Sequence, residues 1–91
     1  MPELHDTQRM TPEQLRLAGT LLFGQSWQTD FARAVDVDPR RVRQWLSGDR
    51  PIPVGLWLEI IELLKQNSRD TANYAQRLQE NYDSIKDQIS E

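Results

Sequence analysis

The sequence predicts an all-α fold of four short helices carrying a longer amphipathic fifth. Three observations lead there: apolar residues recur at three- and four-residue steps along most of the chain, no strand pattern is found beyond the four alternating residues Val35-Asp36-Val37-Asp38, and Thr11-Pro12 and Asp38-Pro39 mark helix starts. A chain of 91 residues is one small domain with a single core.

Residues 1 to 10 read as a flexible leader. Thr11-Pro12-Glu13-Gln14 then has the pattern of a capping box, with Thr11 as N-cap, Pro12 at the first helical position and Gln14 able to reach back. Leu15, Leu17, Ala18, Leu21 and Leu22 follow at helical spacing, and Gly24 is the stop. A second short helix runs from Trp27 or Gln28 to Val35, burying Phe31, Ala32 and Val35. Asp38-Pro39 opens a third, which ends at Ser47 with Gly48 behind it. Pro51-Ile52-Pro53 is held extended, because each proline biases the residue before it away from the helical region. A fourth helix, residues 54 to 66, carries Val54, Trp57, Leu58, Ile60, Ile61, Leu63 and Leu64, apolar on more than one face and expected to floor the core. Asn67-Ser68 is a break, and a fifth helix runs on toward Ile89.

Charge is unevenly placed. The net charge is -3, yet residues 39 to 50 hold Arg40, Arg41, Arg43 and Arg50 against Asp49 alone. A local cationic face on an acidic body follows. Successive residues of a helix turn by about 100°, so Val42, Trp45 and Leu46 share one face of the third helix, with Arg40, Gln44 and Ser47 opposite and Arg41 and Arg43 on the flanks. Forked guanidinium donors and a side-chain amide suit the edges of guanine and adenine in a major groove. A short helix, a tight turn and a second helix exposing such groups is a helix-turn-helix arrangement.

The stretch "WQTDFARAVDVDPRRVRQWLSG" resembles the helix-turn-helix of the lambda-repressor-like, Cro/CI-type (XRE) family of bacterial and phage DNA-binding proteins. The resemblance spans residues 12 to 66, with Gln28, Ala32, Val37, Val42, Trp45 and Gly48 at the family spacing. Phe23-Gly24-Gln25-Ser26-Trp27-Gln28 and the "RPIP" loop are similar to a small bacterial subgroup. Asp36 stands where the family's turn usually has glycine; the left-handed backbone wanted there is one that Asp tolerates better than most residues. The resemblance implies base readout by Arg40, Gln44 and Arg43. It implies phosphate or backbone contacts by Gln28, Ser47, Arg50 and, through its indole N–H, Trp27, with Arg41 either a base reader or a phosphate contact, and it implies core positions for Trp27, Trp45 and Trp57.

Ala75, Leu78, Tyr82, Ile85 and Ile89 follow the 3-4 spacing of a coiled-coil seam. The seam either pairs with a second subunit or folds back on its own chain; pairing is the expectation, since operators of such proteins are often two-fold. The chain is thus expected to bind duplex DNA as a homodimer and repress a promoter, its own operon's among the candidates. The rival class is a protein-interaction module, an antitoxin or adaptor whose last helix grips a partner.

No catalytic constellation can be assembled: there is no cysteine, and His5 has no second ligand at metal spacing. Neither a cofactor nor a metal is expected. No apolar run approaches the roughly 20 residues that span a bilayer, and the start lacks the signal-peptide pattern, so a cytoplasmic protein is expected.

Overall fold

The computed structural model describes residues 9–89 and consists of four helices, α1 (Pro12–Phe23), α2 (Trp27–Ala34), α3 (Pro39–Ser47) and α4 (Val54–Ile89), with no strand among the described residues. His5 and most of the leader lie outside them.

The capping box at the start of α1 forms as its residues dictate. The Thr11 hydroxyl accepts from Gln14 N–H at 3.1 Å and the Gln14 amide oxygen accepts from Thr11 N–H at 3.0 Å. Gly24, at φ 86°, ends the helix. Asp38 caps α3 by accepting from Arg40 N–H at 2.8 Å, Pro39 fills the first turn, and Gly48 closes it in the left-handed region at φ 88°. Asp36 sits at φ 59°, the one left-handed non-glycine among the described residues. Its conformation lets Val37 N–H donate back to Ala32 O at 2.9 Å, turning the chain sharply from α2 into α3.

α1 packs against all three other helices, and α2 against α3. Leu15, Phe31, Val42 and Ile60, one from each helix, meet at the centre with essentially no exposure. Trp27 and Trp45 are buried, the Trp27 ring edge-on to Phe31 at 5.7 Å and pressed on Gly19, where a Cβ would overlap the ring. Ile52 carries the Pro51–Pro53 strap into the core, and its carbonyl accepts from Arg9 Nη1 at 3.0 Å. Met10 is buried too, so the leader's last two described residues belong to the packed head.

Two expectations are corrected. The described residues form four helices where five were expected: α4 runs through Asn67 and Ser68 without interruption for 36 residues. Neither residue lacks a backbone donor or demands φ > 0, so their weak propensity costs only about half a kcal/mol each. Gln66 Nε2 donating to Asp70 across the site at 2.9 Å bridges it. Several apolar residues expected to face the core instead face solvent: Leu17 and Leu21 are each 62% exposed, Leu58 is 68% exposed, and Trp57 is only half-buried. Beyond Leu64, every described side chain is exposed, so the second half of α4 stands away from the head and does not fold back on it. Among the described residues, no helix is long and apolar enough to cross a membrane.

Candidate nucleic-acid interface

Val42 and Trp45, buried at 0% and 3% exposure, hold α3 against the head by one face. The neighbouring positions point elsewhere on the turn, so Arg40, Arg41 and Arg43 stand in solvent, with Gln44 half-exposed. Arg40, Arg41, Gln44 and Arg50 line one shallow concavity together with Asp38. Arg50 reaches it because the loop after α3 doubles back: its N–H donates to Gln44 O at 3.2 Å. Three guanidinium groups and an amide thus line it from two segments, a local concentration of positive charge in an acidic chain.

One carboxylate lies inside this group, which helical geometry alone does not reveal. Asp38 Oδ2 is 3.8 Å from an Arg40 guanidinium nitrogen while its Oδ1 caps the helix. With both side chains more than half exposed, such a pair is worth at most about 1 kcal/mol and leaves Arg40 able to exchange partners. Arg33 is likewise paired, to Asp30 at 3.2 Å on the surface of α2.

The remaining site candidates are placed differently. Arg43 projects from the other flank of α3 and takes no part in the concavity. Ser47 is exposed, but its hydroxyl is engaged locally, donating to Gln44 O at 3.2 Å and accepting from Asp49 N–H at 3.3 Å. Gln28 is half-buried at the second position of α2, next to an N-cap, Ser26, whose side chain makes no capping bond. The first-turn N–H groups of that helix therefore have no side-chain cap from Ser26. Trp27 is a core residue, 3% exposed. Of the tail residues, Leu78, Tyr82 and Ile85 are 44 to 55% exposed along one side of α4 with Ala75; the side chain of Ile89 lies outside the described ones.

Gly19 was missed by sequence reasoning. Periodicity locates it on the inner face of α1 but cannot say that an indole lies on it. Compared with models of protein families, curated proteins and solved structures, the chain finds no match in any of the three.

Proposed function

We propose that this chain is a sequence-specific duplex-DNA-binding regulator of the Cro/CI-type helix-turn-helix class, acting as a dimer that represses transcription by occupying a promoter in the cytoplasm. The observation that carries the reading is the division of α3 into a buried apolar face and an outward one bearing Arg40, Arg43 and Gln44, in an otherwise acidic chain. α2 and the turn at Asp36 set that helix down, and Arg40 and Gln44 read base edges with Arg43 beside them. Arg41 and Arg50 neutralise backbone phosphates, and a phosphate also sits at the start of α2, where Gln28 and helix N–H groups converge. Ser47 adds a backbone contact once its local bonds are exchanged, and the indole N–H edge of Trp27 is the weakest of the phosphate candidates. A two-fold operator and dimerisation through Ala75, Leu78, Tyr82, Ile85 and Ile89 complete the reading.

The test begins with selection of a preferred site from a random duplex pool, followed by anisotropy titration. Arg40→Ala should weaken that site by about 1–3 kcal/mol and relax choice at one base pair, and wild-type affinity should fall with a log-log salt slope of several units. No enrichment of any sequence, together with a flat salt response, sinks the reading. That outcome would favour a protein-interaction module, the reading for which the exposed seam of α4 speaks.

A further inference from the structure

The unbroken course of α4 joins two apolar surfaces that a helix break would have kept apart. Starting from Val54, the 3-4 spacing of a seam passes through Trp57, Ile61 and Leu64, continues through Ser68 and Thr71, and reaches Ala75, Leu78, Tyr82 and Ile85 without a change of phase. That is about five heptads on a rod of about 54 Å. At the head end the seam is widened by α1, since Leu17 and Leu21 line one apolar groove with Trp57, Ile61 and Leu64. At the tail end no described residue covers α4: its described side chains from Lys65 onward are exposed, and short-range side-chain bonds such as Gln76 to Glu80 and Gln79 to Asp83 are its local support. Such bonds add only a few tenths of a kcal/mol apiece, and most helical stability in proteins comes from packing of an amphipathic face rather than from such local support. A largely apolar stripe, half-exposed on the head, exposed on the tail and crossed by the polar pair Ser68 and Thr71, marks a surface made to be covered.

We propose that a second copy of this chain covers it, in parallel and in register, through one continuous interface that begins on the head at Leu17 and Leu21 and runs down α4 to its end. The proposal rests on the dimeric reading above and extends it from the tail to the head. A second copy fits because the seam matches itself. β-branched Val54 and Ile61 occupy one heptad position with Ala75 and Tyr82, and Leu64 and Leu78 occupy the other with Trp57 and Ile85; where β-branched residues stand in the first and Leu in the second, that arrangement favours parallel two-stranded pairs. In register, the polar layers Ser68 and Thr71 meet their own counterparts, hydroxyl to hydroxyl. The flanking residues that meet across a parallel pair, Asn67 with Ala72, Tyr74 with Gln79 and Asn81 with Lys86, bring no like charges together. Parallel pairing also puts both heads at one end of the rod, where two half-sites about 34 Å apart on one DNA face are within joint reach.

The absence of cysteine makes the register directly measurable in the full-length chain. Ser68→Cys and Ala75→Cys, on exposed positions, are each oxidised separately. Parallel in-register pairing gives a disulfide dimer from both, whereas an antiparallel pair can place at most one of the two positions on its two-fold axis; failure of either to cross-link overturns the register. The head's share is tested by Leu17→Glu and Leu21→Glu, both on exposed positions, with Leu17→Gln as the milder change should either lose helical content by circular dichroism. Each Glu variant should weaken the dimer at least tenfold by light scattering or sedimentation, and Leu17→Gln should weaken it measurably. An unchanged dimer in folded variants overturns the head's share. Anisotropy on the selected duplex separates the two claims. A cross-linked dimer that binds no DNA sinks the regulator and leaves this surface standing; a protein that binds DNA while staying dimeric with Glu at Leu17 does the reverse.

Discussion

The two halves of α4 are helical for different reasons. From Val54 to Leu64 the helix is held by tertiary packing: Leu56 and Ile60 are buried, with Leu63 and Leu64 packed at the edge of the core. From Lys65 onward every described side chain is exposed, and what supports the helix is side-chain bonds such as Arg69 to Gln66 at 2.8 Å and Gln66 to Asp70, and the nucleus provided by the half before it. The contrast teaches that the same periodicity carries two meanings. A stripe of apolar residues every three or four positions says that a face will be covered; it does not say whether the cover comes from the same chain.

That comparison can be broken from the head side with one methyl group. Gly19→Ala in an open helix would gain about 1 kcal/mol, but here the new Cβ meets the buried Trp27 ring, so we expect a net loss of about 3 kcal/mol in the head, read as an earlier tryptophan fluorescence transition on urea titration. From the tail side, Tyr82→Glu should leave that transition at low protein concentration in place. It should reduce far-UV helicity and, if the tail pairs, abolish the concentration dependence of thermal unfolding, at a cost of about 2 kcal/mol. A tail whose helicity is indifferent to Tyr82→Glu and to dilution would be a free-standing helix.

The next two changes act on the turn and cap that aim α3. Asp36→Gly relieves a left-handed backbone at φ 59° and should raise head stability by up to about 1 kcal/mol, with the tail unaffected; a loss would mean that the Asp36 side chain holds the turn by a contact of its own. Asp38→Asn keeps an N-cap of equal rank while removing the carboxylate beside Arg40. Stability should hold within about 0.5 kcal/mol while affinity for duplex DNA rises modestly at low salt, and unchanged affinity would show that Asp38 does not compete for Arg40.

The head was legible in the sequence wherever one residue settles one backbone question. Thr11 with Gln14, Asp38 with Pro39, Gly24, Gly48 and the left-handed turn at Asp36 all act within a few residues, and the helices they bound run as expected. The orientation of α3 followed from its own spacing, which put Val42 and Trp45 inside and the arginines out. What escaped was set by distant partners or by weak preferences. Asn67 and Ser68 are poor helix residues without being breakers, so a bridging bond and neighbouring helix formers carry α4 through them. Leu17, Leu21, Leu58 and Trp57 carry an apolar signal that no local rule assigns to core or contact. The Asp38–Arg40 pair reaches from the cap to the first turn, and a cap residue has no place on the helical wheel of α3.

An uninterrupted α4 makes the tail and the head angular partners rather than merely successive segments. Each residue in the rod sets the dial of everything beyond it by about 100°. Losing Asn73 alone would swing Leu78, Tyr82 and Ile85 roughly a quarter-turn away from the plane of Trp57 and Ile61, although only about 1.5 Å of length would be gone. Losing the seven residues from Ser68 to Tyr74 shortens the rod far more and returns the dial almost to where it stood. Length in this connector is therefore cheap to change and phase is not.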